Sequence, residues 1–367
     1  MGIFTMKIVK SRKMHTDKGF SHQFTEALLQ WNRTENHRQM PWKGEKDPYK
    51  IWLSEIILQQ TRVEQGLKYY ERFIKTFPTI QDLAAAPDQQ VFKLWEGLGY
   101  YSRCKNLLEA ARFIANDLQG VFPNQYEDIL KLKGVGSYTA AAIASFAFNQ
   151  PYAVLDGNVF RVLARIYDIE EPIDTTNGKK NFSRLAGLQL SREQPGIYNQ
   201  AIMDFGATIC KPFPECAACF FSDRCEAFLQ GKQLLLPVKE KKIAVKERWF
   251  NYVVLQHKNV IAIKKRASRD IWQNLYEFPL IETSGPASLK EIHLQLEKGF
   301  GFSHHDVIFK KEIFETKQRL THQVINFSFY QAETCEVKDI PGFIWVGWEE
   351  LNHYPFPKTL QEYIINN

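Results

Sequence analysis

Glu55 is the sole acid in IWLSEIILQQTRV, set among Ile51, Trp52, Leu53, Ile56, Ile57 and Leu58. On a helix buried on most sides, such a carboxyl group loses solvation, its pKa rises, and it can hold a proton near neutral pH, as a general acid must. On the wet face of the helix it would be only a solvated charge, paired with Arg62 two turns on. A second acid, Asp156, stands at the head of the amphipathic run AVLDGNVFRVLARI, where Asp is also a common N-cap. Two carboxyl groups in unlike environments can cleave a glycosidic bond: one protonates the leaving group while the other supports the oxocarbenium-like sugar. Spacing alone does not show that the two meet.

Two further patterns carry chemistry. LKGVGSYTAAAI places Gly134 and Gly136 around Val135, directly before an alanine-rich helix. Backbone N–H groups bared by such a turn, added to the positive end of the helix dipole, suit an anion such as phosphate. As a lone pattern it is more often a plain turn, and it lacks the strand and third glycine of the nucleotide fingerprints. Cys210, Cys216, Cys219 and Cys225 crowd into CKPFPECAACFFSDRC. Four thiolates so close can hold a zinc ion or a [4Fe-4S] cluster, although zinc sites more often use two Cys-x-x-Cys pairs.

The elements that must position these groups divide the chain in two. Residues 20–228 show helical spacing in DPYKIWLSEIILQQTRVEQGLKYYERFIKTF, DQQVFKLWEGL, NQYEDILKL, SRCKNLLEAARFIANDL and SYTAAAIASFAF, so this half is all-α. A connector at 229–248 follows; its last ten residues hold five basic and two acidic side chains, half of the chain's net charge of +6. Residues 249–367 change texture: RWFNYVVLQHKNVIAIKKR, HQVINFSFYQAE and GFIWVGW read as strands, with one helix at about 286–299, giving a small α+β domain. With 367 residues there is room for two or three cores. The basic surplus leans toward an anionic partner. No apolar run is long enough to span a bilayer, and MGIFTMKIVKSRKMHTDKGF does not have the layout of a signal peptide, so a cytoplasmic protein with metal-bound rather than disulfide-bonded cysteines is expected.

The motifs PWKGEKDPYKIWLSEIILQQTRV, LWEGLGYYSRCKNL, LKGVGSYTAAAI and VLDGNVFRVLAR, in this order across residues 40–228, resemble the helix-hairpin-helix DNA glycosylases, and among them the adenine DNA glycosylases of the MutY type. The resemblance implies a multi-domain protein. Its catalytic part would be an all-α helix-hairpin-helix domain, made of a six-helix barrel at about 40–150 and an iron-sulfur subdomain at about 20–39 plus 151–228. It also implies a monomer acting on double-stranded DNA that carries adenine opposite 8-oxoguanine or guanine, with no membrane role. In such enzymes the motif glutamate, here Glu55, protonates adenine N7, and the motif aspartate, here Asp156 with Asn158 beside it, supports the C1′ cation. Strand-cutting relatives carry a lysine nucleophile where this chain has Tyr138. A phenol forms no imine with a sugar aldehyde, so a monofunctional enzyme is implied, with Tyr138 at the sugar end of the pocket.

The same resemblance makes Gly134 and Gly136 the grip on one DNA strand and assigns Gln60 and Thr61 to the estranged pair. It sends Leu98 and Tyr100 in beside 8-oxoguanine, makes Trp42, Leu58 and Val63 walls of the adenine pocket, and sets Gln200 against the base edge. Extruding the base is required because its reacting atoms are unreachable inside a stacked duplex. The cysteines resemble the family's iron-sulfur loop, so a [4Fe-4S] cluster is implied, although the first gap holds five residues where the family has six. Residues 249–367 resemble the Nudix-like domain that recognises 8-oxoguanine, by IWQNLYEFP, KQRLTHQVINFSFY and GFIWVGWEELNHYPFP. The family's Phe-Ser-His loop reads here Leu320-Thr321-His322, so Thr321 and His322 are the expected contacts. The acid-rich metal helix of Nudix hydrolases is missing. The rival readings are a bifunctional glycosylase-lyase, disfavoured by Tyr138, and a non-catalytic DNA-binding module, which has no use for a buried carboxyl group.

Overall fold

The computed structural model describes residues 18–240, 244–303 and 305–367; the N-terminal segment 1–17 and residues 241–243 of the connector lie outside them. Fourteen α-helices are described: α1 (Lys18–Thr34), α2 (Pro48–Leu58), α3 (Val63–Thr76), α4 (Ile80–Ala85), α5 (Asp88–Trp95), α6 (Tyr101–Asn116), α7 (Tyr126–Ile129), α8 (Ser137–Phe148), α9 (Gly157–Ile166), α10 (Thr176–Gln189), α11 (Pro195–Thr208), α12 (Glu226–Leu229), α13 (Leu289–Phe300) and α14 (Lys358–Asn366). The described strands are β1 (Lys246–His257), β2 (Val260–Lys265), β3 (Tyr276–Glu277), β4 (Leu280–Thr283), β5 (Val307–Arg319), β6 (Gln323–Thr334) and β7 (Phe343–Gly347).

By contact the described residues form two compact units, 18–55 with 122–240, and 56–121 with those from 244 onward. In the first unit α1 and α8 to α12 enclose a core that includes Phe24, Leu28, Val162, Phe182, Ile202 and Phe205. Helix starts follow their sequence signals. Asp47 caps α2, its carboxylate accepting from the Tyr49 N–H at 2.9 Å, and Pro48 occupies the first helical position, where its missing N–H costs nothing. α7 is a single turn rather than the longer helix expected from NQYEDILKL. After Ile129 the backbone closes i→i+3 bonds, Lys131 N to Asp128 O and Leu132 N to Ile129 O, and the chain enters the hairpin through Gly134 at φ +78°. That left-handed angle is what requires a glycine there.

The second unit contains α3 to α6, whose interior includes Phe73, Val91, Trp95, Cys104 and Leu107. Its other part is the sheet, in order β3-β2-β1-β6-β5, with β4 on β1 and β7 on β2. β1 and β6 run parallel and the remaining pairs antiparallel. β1 is buried on both faces: Phe250, Tyr252 and Val254 join the core that includes Leu360 and Tyr363 of α14, while Val253 and Leu255 join the one that includes Ile292 and Leu296 of α13. Two boundaries differ from the sequence reading. β1 already begins at Lys246, inside the segment read as connector, because Lys246 to Gln256 pair with β6. β5 is a strand that the sequence pattern does not announce, since most of its residues are solvated and the alternation of apolar and polar residues is lost.

Gly206 of α11 lets that helix approach the start of α9. A Cβ built there would stand 2.7 Å from Asn158 Cβ, too close for any real pair. Gly206→Ala is therefore expected to push α9 away and to destabilise the first unit by about 2 kcal/mol, read as a lower urea midpoint at unchanged m-value.

Candidate active site

α2 carries Glu55 on a helix whose neighbours Trp52, Leu53 and Ile57 are all fully buried. Glu55 itself is 8% exposed. Burial pushes its carboxyl group up to about 7, opposed by a hydrogen bond with the Tyr138 hydroxyl and reinforced by the charge of Asp156. The wet-face alternative is thereby removed. Arg62, which would have been its partner, is exposed beyond the break that ends α2.

Asp156 is the N-cap of α9, and it also belongs to the site, so the plain structural reading and the catalytic one are compatible. Its carboxylate accepts from the Val159 N–H at 2.7 Å and from Asn158 Nδ2 at 2.9 Å. Burial raises its pKa, but these donors and the Arg161 guanidinium pull against that rise. Arg161 also holds Asn158, donating to its Oδ1 at 2.8 Å. The two acids thus have unlike settings: Glu55 is dry and short of donors, while Asp156 sits at a helix N-terminus with donors aimed at it. Burial thus acts almost unopposed on Glu55 and is opposed by several donors at Asp156.

Tyr138, in the first turn of α8, faces both. Burial first, and then the charges of Glu55 and Asp156, drive its phenol well above the usual range, so it stays neutral. Its hydroxyl lies 3.4 Å from the Met203 sulfur, a weak acceptor. The start of α8 at Gly136 has no side-chain cap, which leaves the helix end suited to an anion.

Beside Glu55 opens a cavity of about 350 Å³, walled in part by Trp42, Lys43, Ile51, Phe146, Gln194 and Gln200. Of the residues expected to wall a base pocket, Trp42 and Gln200 line this cavity, and Leu58 and Val63 do not. Asp204, which that reading missed, anchors the cavity. It is wholly buried and accepts from Asn36, Arg38, Lys43 and Gln200 at 2.8–3.1 Å. A carboxylate only accepts, so Gln200 must turn its amide N–H toward Asp204, leaving Oε1 as its acceptor for a ligand. The signal was available: Asp204 is an acid inside the apolar run AIMDFG, the pattern that singled out Glu55.

In the second unit, Gln60 is exposed and left-handed (φ +56°), Thr61 follows it, and Tyr100 is 47% exposed and also left-handed (φ +49°). Leu98 departs from expectation. It is 5% exposed, part of the core and not presented at the surface, since the turn at Gly97 and Gly99 points it inward. Thr321 and His322 are exposed at the tip between β5 and β6, closed by the Leu320 N–H on Gln323 O at 2.8 Å. Leu320 packs against the core below. The Tyr100 hydroxyl and Thr321 Oγ1 are 2.9 Å apart.

The four cysteines line one depression together with Arg165, Phe221 and Phe228. Buried Arg165 reaches Cys210 Sγ at 3.4 Å and holds the shortened first loop by the carbonyls of Lys211 and Pro212 at 2.7 and 2.9 Å. Among the described residues no three Cys, His, Asp or Glu side chains stand close enough to bind a single ion. Four cysteine thiols at one depression are a donor set that either a zinc ion or a [4Fe-4S] cluster takes.

Residues 53–186 match the HhH-GPD superfamily of base excision DNA repair proteins and residues 251–366 the NUDIX domain family. An adenine DNA glycosylase of Buchnera aphidicola (subspecies Acyrthosiphon pisum) is 35% identical over 94% of this chain and 97% of its own. A mouse adenine DNA glycosylase is 40% identical over 89% and 74%. A thermostable thymine-DNA glycosylase structure superposes with a TM-score of 0.53 at 30% identity, over 58% of this chain and 98% of that one. An endonuclease III–DNA complex, at 20% identity and a TM-score of 0.50, covers 57% of this chain and 97% of its own and shares the fold. With both family matches in place, and with a relative aligned along almost its whole length, the chain belongs to the adenine DNA glycosylases, base-excision repair enzymes of the HhH-GPD superfamily.

Proposed function

We propose that the enzyme, as a monomer in the cytoplasm, releases adenine mispaired with 8-oxoguanine or guanine in duplex DNA and leaves an abasic site. The observation that carries this reading is the dry Glu55 carboxyl group, raised to about 7, coupled to Asp156 and Tyr138 beside a cavity. Adenine, swung out of the duplex into that cavity, stacks near Trp42 and offers its amino edge to Gln200 Oε1. Glu55 gives its proton to the base at N7, and the bond between C1′ and N9 breaks with its electron pair leaving on adenine. Asp156 faces the resulting cation as a carboxylate. Water then adds at C1′, and its proton returns to the ionised Glu55. Tyr138 fills the sugar end of the site without a nucleophilic amine, so the strand is not cut. Gly134 and the open end of α8 take a backbone phosphate, while Gln60, Thr61, Tyr100, Thr321 and His322 meet the mispair.

Cys210, Cys216, Cys219 and Cys225 hold a [4Fe-4S] cluster in this reading. When bound it cross-links the loop after α11 and supplies no step of base release. Purified protein is expected to be brown, with about four irons per chain. Cys219→Ser should bleach the colour and lower Tm; a colourless wild type carrying one zinc would refute the cluster.

Glu55→Gln is expected to lower the single-turnover rate of adenine release by at least about 10³-fold, measured as alkali-labile breaks, with duplex affinity retained. In the wild type that rate should fall as pH rises through about 7. Stability supplies an independent check. Because the folded pKa lies above the ordinary 4.5, the folded state binds the extra proton, and stability is lost as pH climbs from about 4.5 to about 7. Glu55→Gln should remove that loss, so above pH 7 the variant is more stable by on the order of 3 kcal/mol. A difference that does not change with pH would place the carboxyl group in water.

A further inference from the structure

Gln60 and Tyr100 are both left-handed and both exposed, although neither is a glycine. Backbone in that region persists only where its surroundings enforce it. One side chain touches both loops. Arg103, 9% exposed on α6, donates through Nη1 to the carbonyls of Ile56 and Ile57 at 2.8 Å each, at the end of α2. Through Nη2 it donates to Thr61 Oγ1 and to Gly99 O, at 3.3 Å each. Its guanidinium also lies over the rings of Trp95 and Tyr100, 5.2 and 5.4 Å from their centroids. Trp95 in turn donates from Nε1 to Gly99 O at 3.0 Å.

We propose that Arg103 is a positioning residue that fixes the Gln59–Thr61 turn and the Gly97–Tyr100 turn as a single rigid edge, so that both meet the mispair together. The planar fork suits this task. One amino end holds the Ile56 and Ile57 carbonyls, the other spans Thr61 and Gly99, and the guanidinium face lies over the Tyr100 ring, a geometry that a lysine ammonium on a flexible stem does not reproduce. Since the Tyr100 hydroxyl also meets Thr321 Oγ1, the edge set by Arg103 carries on to the β5–β6 tip. The inference rests on the reading that Gln60, Thr61 and Tyr100 touch DNA.

The test measures the ratio of affinities for a duplex with adenine opposite 8-oxoguanine, made uncleavable by a 2′-fluoro sugar, and for a matched duplex. Arg103→Lys, Tyr100→Ala and their double variant are compared, with folding checked by circular dichroism. Arg103→Lys and Tyr100→Ala are each expected to lower the ratio about 10-fold, and the double variant no more than about 2-fold further, because both act through one element. A residue with only a structural role would multiply its effect with that of Tyr100→Ala. A wild-type ratio in Arg103→Lys, or multiplied losses, overturns the inference. An unchanged ratio in Tyr100→Ala overturns the DNA-probing reading and the inference with it. Should Arg103→Lys not fold, Arg103→Met decides the same question, since it keeps a buried stem and removes every donor of the fork. An about 10-fold loss, absent in the Tyr100→Ala background, is then expected, and a wild-type ratio or a loss that persists in that background overturns the inference.

Discussion

The withdrawal of one carboxyl group from water, on a helix packed on its other sides, is the constraint on which the chemistry depends. Keeping Glu55 dry costs the fold about 3 kcal/mol whenever the group ionises, from a pKa displaced to about 7. Trp52, Leu53 and Ile57, buried from the same helix, each contribute about 1.5–3 kcal/mol, so α2 can hold an acid in a place where an acid is unwelcome. Its counterpart needs the reverse treatment. Burial raises the pKa of Asp156, and capping α9 works against that rise, because Val159 N–H, Asn158 and the helix dipole favour the charged form. A structural device, the N-cap, thereby becomes an electrostatic one.

The helices that deliver these groups were legible because each begins with a signal and carries its apolar residues at helical spacing. Asp47-Pro48 starts α2, the glycine turn starts α8 and Asp156 starts α9. The acid in the apolar run was equally plain, since a lone charge among aliphatic neighbours has few reasons to be there. Less was legible where a side chain's setting depends on residues far away in sequence. Leu98 and Tyr100 sit in one glycine-rich turn, and nothing local distinguishes the one that turns into the core from the one that faces water; the positive φ angles of Gly97, Gly99 and Tyr100 decide it. β5 was invisible for the opposite reason: an edge strand with both faces largely solvated has no period to read.

The C-terminal domain shows how a fold can keep its shape while its acids are turned inward. Glu277, beside the Phe278-Pro279 of YEFP, is 2% exposed and bound to Arg266 at 2.8 Å. Arg248 bridges Asp270 and Glu282 at 2.7 Å each and also reaches Gln323 at 3.0 Å, two residues past Thr321. Removing Arg266 would leave Glu277 buried and short of its partner, which is far costlier than the net worth of the pair. The ion pairs therefore act chiefly on geometry: they hold the 266–275 loop and the start of β6 in fixed relation.

Glu55, Arg103 and Asp204 obey one rule from three directions. Each is an ionisable group 9% or less exposed on a helix. Asp204 and Arg103 are hydrogen-bonded to several partners, four for the one and four for the other. Both are spent on holding other residues in place. Glu55 has little beyond the Tyr138 hydroxyl, and that poverty is what leaves its proton available. In the proposed reaction the buried ionisable groups with several partners hold the site, and the one with few partners gives up its proton.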